Sequence, residues 1–171
     1  MDLKKLTTAD RVVAGAAIVF LIAFFLPWEG KTISVQGIAS ISKSWNGTEY
    51  FLTGWIPLLL AIAMVVQIGL ARFSDTQMPK LPVTWGQAHL IAGATAAVLV
   101  VLRLIFTANV SGVDLDRKFG LFLATLAAIA LGVGGFLKSQ EPEEAYDVGG
   151  PLPGGYPGST PPPPPPGGGS F

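Results

Sequence analysis

Arg103 is the single charged side chain inside the apolar stretches of this 171-residue sequence. Placing a guanidinium at the centre of a hydrocarbon layer costs about 2.5–3.5 kcal/mol on insertion scales, so a residue kept there makes a contact that offsets the cost. Three contacts are open to it: the water boundary reached by snorkelling, a carboxylate, or an anionic ligand. Arg103 stands near the end of its stretch, which favours the boundary, or a pair with Asp114 or Asp116 just beyond. Gln67 and His89 are the other polar candidates. Gln67 offers an amide for a hydrogen bond to a neighbouring helix. His89 lies beside Trp85 and Gln87 at the opposite end of the Arg103 stretch, and reads as part of an anchor region. Nearly a membrane thickness separates His89 from Arg103, so the two cannot form one compact catalytic group.

Other chemistries lack their residues. The chain has no cysteine and one histidine, which removes disulfides, thiolate metal sites and thiol nucleophiles. Asp114 and Asp116 fall short of the six to eight oxygens that calcium takes. No phosphate-binding loop, HExxH or GxSxG motif is present. Asn46-Gly47-Thr48 matches a glycosylation sequon, a short match that also reads as a turn. Eleven basic residues balance eleven acidic ones, leaving no basic surface for nucleic acid. No cofactor, metal or nucleic-acid partner is expected, and no enzymatic activity.

The elements that must carry these residues are four apolar stretches: 12–28, 50–71, 88–108 and 119–137. Each matches the roughly 17–25 residues a helix needs to cross a bilayer core. Half of the chain is hydrophobic, only 13% is charged, and mean hydropathy is +0.54. A soluble domain carries about a quarter charged residues. In hydrocarbon every backbone polar group must be satisfied within the segment, so each stretch is expected to be helical. The fold class is therefore all-α: a four-helix transmembrane bundle over residues 1–138. The first stretch ends in Leu26-Pro27-Trp28, which is no cleavage site, so a retained helix is preferred over a signal peptide. Thr7 to Asp10 fits a capping box before it, Trp28 reads as an interfacial anchor, and Asp116 is placed to cap the fourth helix. Along that helix Gly120, Ala124, Ala128 and Gly132 recur every fourth residue, a smooth strip for close packing within the bundle or between copies.

The loops differ from one another. Thr32-Ile33-Ser34-Val35 alternates as a short strand or hairpin does, and Asn46-Gly47 marks a turn. With the N-terminus inside, Lys4, Lys5, Arg11, Arg72, Lys80 and Lys138 fall on the cytoplasmic side, against Lys31, Lys43, Arg117 and Lys118 outside. That asymmetry places both termini in the cytoplasm. Residues 139–171 form a separate Pro/Gly-rich tail, whose composition is that of a disordered segment. Within it Pro161, Pro162, Pro163, Pro164, Pro165 and Pro166 make a polyproline II run suited to an aromatic groove on a partner, or to a spacer.

Phe25-Leu26-Pro27-Trp28 closing the first helix, Leu102-Arg103-Leu104 in the third, and Lys118-Phe119-Gly120-Leu121 opening a fourth that closes at Gly134-Gly135 follow one another over residues 10–138. In this the chain resembles the small four-helix membrane proteins of unknown function common in actinobacteria. The resemblance implies four spans and a bacterial plasma membrane, and it brings no activity. The expected function is a non-enzymatic adaptor or accessory subunit, held in the bilayer. Its expected partners are a membrane protein or further copies of itself, and a cytoplasmic polyproline-binding protein at the tail. The alternative is a small transporter or channel component using Arg103.

Overall fold

The computed structural model describes residues 6–35, 39–74, 82–106 and 115–142. Lys4, Lys5, Lys80, Asp114 and the tail from 143 onward, with its Pro161–Pro166 run, lie outside the described residues.

Four helices, each long and apolar enough to cross a membrane, pack up-and-down into one bundle. Helix α1 spans Thr8–Phe25, α2 Ile56–Phe73, α3 Trp85–Ile105 and α4 Phe119–Ser139. The turn Phe51–Trp55 is π-helical and runs directly into α2. A small antiparallel sheet, absent from the all-α expectation, sits at one end. Strand β1 (Pro27–Val35) pairs with β2 (Ala39–Asn46), as the alternation around Thr32 to Val35 foretold, and also with the two-residue β3 (Asp116–Arg117).

Local chemistry sets the boundaries. The capping box at the start of α1 is formed, with Asp10 N–H donating to Thr7 Oγ1 and Thr7 N–H to Asp10 Oδ2. The helix then stops at Phe25, short of the expected 28. Leu26 precedes a proline and turns extended, as the proline ring requires of its neighbour. Helix α3 starts at Trp85 instead of 88, because Thr84 and Gln87 make a second reciprocal capping box. The expected Asp116 cap on α4 is not formed: Lys118 occupies the N-cap without a side-chain bond, and Asp116 is drawn into β3 opposite Gly30. Asn46 caps the short 3-10 turn Gly47–Glu49, its Oδ1 accepting from Thr48 N–H.

Helix α4 makes the most extensive contacts, against α3 on one side and α1 on the other, with α2 closing the ring between α1 and α3. Gly120 lies against the carbonyl of Pro27 and Gly134 against Val13, so both serve the α1 side. Gly135 packs on the His89 carbonyl and Gly132 on that of Gly93, serving α3. Ala124 and Ala128 are fully buried, in a cluster with Phe20, Phe24 and Val100. Outward-facing side chains are large and apolar, among them Ile18, Leu59, Ile91 and Leu126, as helices bounded by hydrocarbon require.

Close approach makes some glycines irreplaceable and leaves others free. A Cβ on Gly93 would meet the Leu131 carbonyl oxygen at 2.5 Å and the Gly132 Cα at 3.0 Å, both backbone atoms. Gly69 has nothing within 4 Å. Gly93→Ala is therefore expected to destabilise the bundle by about 1–3 kcal/mol through overpacking. Gly69→Ala is expected to stabilise it by up to about 1 kcal/mol through helix propensity. Unfolding in mixed detergent micelles reads both, and equal effects would refute the packing.

Candidate functional site

The polar groups buried in the bundle gather at its two ends. At the end where α1 begins and α2 and α4 finish, Asp10 is fully buried and holds two cations. Arg72 Nε donates to its Oδ2 at 2.8 Å, and the Lys138 ammonium, also fully buried, donates to Oδ1. Glu141, just past α4, accepts from both Arg72 and Lys138 at 3.4 Å. An up-and-down topology brings these residues together, and the helix dipoles suit them: the carboxylate caps a helix start, and both cations sit at helix ends.

At the sheet end, Arg103 of α3 donates from Nη2 to Glu29 Oε2 at 2.5 Å. The expected pairing with Asp116 does not occur, since that side chain is exposed on β3. Glu29 is fully buried, on the first rungs of β1, and lies much closer in space than in sequence. Tyr50 completes the set. Its hydroxyl donates to the same Glu29 oxygen at 2.7 Å, and its ring lies 3.9 Å beneath the Arg103 guanidinium. Trp28 stacks on Tyr50 with ring centroids 6.0 Å apart and donates from Nε1 to the Ala23 carbonyl. It is fully buried, a corner post where an interfacial anchor was expected. Arg103 is thus neither snorkelling freely nor open to a ligand on the side that Glu29 and Tyr50 occupy.

Tyr50 stands one residue before the π-turn, outside the span. Burial, then its bond to the Glu29 carboxylate, push its phenol from 10.0 up to about 12. Between those values the unfolded chain has released the proton and the folded protein still holds it, so stability falls as pH rises. The wild-type protein is expected to lose stability relative to Tyr50→Phe from pH 10 towards 12, with no such relative loss below pH 9. Parallel unfolding curves across that range would refute the bond.

His89 and Gln67 lie toward the Asp10 end and are both buried. His89 Nδ1 lies 3.0 Å from the Trp85 carbonyl, one turn earlier in its own helix. Neither Nε2 nor the Gln67 amide has a protein hydrogen-bond partner. His89 was read as an interfacial anchor; it is a core residue, covered by α4 where Gly135 meets its backbone. The structure does not bring Arg103 together with Gln67 or His89. Among the described residues, no group of three metal-binding side chains occurs.

Sequence reasoning missed Asp10 as the hub of one cluster and Glu29 as the counter-ion of the other. A topological signal was present for Asp10: in four up-and-down helices the start of the first and the ends of the second and fourth share a side. Comparison with protein-family models, curated proteins and solved structures finds no match.

Proposed function

We propose that this protein is a non-enzymatic adaptor or accessory subunit of a bacterial plasma membrane, with both termini in the cytoplasm. In this reading it belongs with the small four-helix membrane proteins that its sequence resembles. One observation carries it: the charges buried in the bundle are paired at its two ends, and apolar side chains fill most of the described interior between them, with Gln67, His89 and Thr125 as its buried polar side chains. Phe20, Phe24, Leu121, Ala128 and Leu131 fill that interior. A solute pathway calls for polar or broken helices near the midplane. The alternative, transport through Arg103, is disfavoured by the contacts that already hold its guanidinium. The bundle then acts as a rigid platform, with Glu141 tying the root of the tail to α2 and α4. The Pro161–Pro166 run supplies a binding segment of preset conformation for a cytoplasmic partner.

Crosslinked affinity purification from native membranes tests this, comparing the full chain with one ending after Pro142, which keeps Glu141. The reading expects a cytoplasmic partner lost with the tail, or a membrane partner or second copy retained by both forms. Failure to recover any partner, with measurable solute flux in proteoliposomes, overturns it in favour of transport.

A further inference from the structure

The register of β1 and β2 places Lys31 directly opposite Lys43. Directly paired residues have Cβ atoms about 5 Å apart on the same face, and like charges there are destabilising. No carboxylate relieves them: among the described residues, neither ammonium has an ion-pair partner within 4 Å. The same face carries Trp45, two residues from Lys43, and Arg117, opposite Glu29 on β3. Lys43 Nζ lies 5.1 Å from the Trp45 ring centroid. The face's acid is Glu29, fully buried and paired with Arg103. Asp116 falls on the reverse face with Gly30.

The direction of this face is set by Glu29. Its carboxylate points back to the end of α3, so the face looks toward the helix ends and the plane in which they terminate. Lys31 lies two residues further along the strand, about 6.6 Å from Glu29 at 3.3 Å per residue. The lysine rung is therefore carried beyond the Glu29–Arg103 contact while keeping the same outlook. Cations beside a tryptophan are the side chains that favour a bilayer's headgroup layer: ammonium on phosphate, indole at the boundary.

We propose that this face of the hairpin is a docking surface for anionic phospholipid headgroups, with Lys31 and Lys43 sharing phosphate oxygens and Trp45 seated beside them. The lipid supplies the negative charge that the protein leaves out, and it relieves the repulsion built into the Lys31–Lys43 rung. This goes beyond the adaptor reading and requires only that the four helices span a bilayer.

The test uses the full chain in phosphatidylcholine nanodiscs doped with phosphatidylglycerol, with retained lipids counted by native mass spectrometry. Preferential retention of phosphatidylglycerol is expected, weakening as salt rises. Lys31→Gln with Lys43→Gln should reduce the preference about thirtyfold, following the attraction of each lysine for an anionic surface. Lys31→Arg with Lys43→Arg should keep it, and Lys118→Gln, on the reverse face beside Gly30, should keep most of it. The glutamine pair should also stabilise the protein in zwitterionic detergent, where the like-charge rung is unrelieved, and lose that advantage in anionic micelles. An unchanged preference in the glutamine pair overturns the proposal. So does equal binding of inorganic phosphate by lipid-free protein, which would mark a soluble-anion site. A chain that fails to insert at all would overturn the membrane reading itself.

Discussion

Replacing Asp10 with asparagine is expected to cost about 3–5 kcal/mol, close to the whole stability of many small domains. The side chain keeps its size and can still serve the Thr7 cap. What disappears is the charge between Arg72 and Lys138, two cations that then face each other in a buried end with Glu141 as their shared carboxylate. The penalty comes from uncompensated burial of charge, so removing a cation as well should restore part of it. Asp10→Asn with Lys138→Met is expected to lose less than the two single changes summed, by at least about 1 kcal/mol. Arg72 then retains Glu141. Unfolding in mixed micelles measures all three variants. A cost below about 1 kcal/mol for Asp10→Asn would mean that water reaches the cluster and screens it.

Glu29→Gln is the second large effect, again about 3–5 kcal/mol, for it strands the Arg103 guanidinium under the sheet. Arg103→Lys separates charge from shape at the same place. An ammonium can still meet Glu29, but it cannot reproduce the guanidinium's contact with the Tyr50 ring at 3.9 Å. A loss near 1 kcal/mol is expected for the lysine variant, well short of the glutamine one. If Arg103→Lys cost as much as Glu29→Gln, stacking on Tyr50 would outweigh the ion pair. If neither changed stability, Arg103 would be free for a ligand and transport would return as the leading reading.

How these residues meet was only partly legible in the chain. Hydropathy set the number and approximate place of the helices, because hydrocarbon leaves a backbone no alternative. The capping box at Thr7 and the strand pattern after Trp28 were equally local, and both formed. Partners across the fold were another matter. Asp116 is near Arg103 in sequence and was favoured for that reason, whereas Glu29 reaches it through β1, whose register with β3 no local pattern reveals. Asp10 looked complete as a cap, and nothing in its neighbourhood announces that one carboxylate serves a helix start and two distant cations together. Gly120, Ala124, Ala128 and Gly132 of α4 were read as one strip. Its two glycines divide between neighbours, Gly120 toward α1 and Gly132 toward α3, and side choice depends on the bundle's order.

That division bears on how the protein is made. Helices leave the ribosome in chain order, yet the one with the most extensive contacts to both α1 and α3 is the last of the four. Until α4 arrives, Phe20 and Val100 lack the Ala124–Ala128 face they close upon, and Asp10 has Arg72 but not the Lys138 ammonium. Before then α1, α2 and α3 are held together by their smaller mutual contacts and by the Arg72–Asp10 pair. A chain arrested before Phe119 is therefore expected to form a looser bundle, and the arrival of the last helix is the step that closes the core.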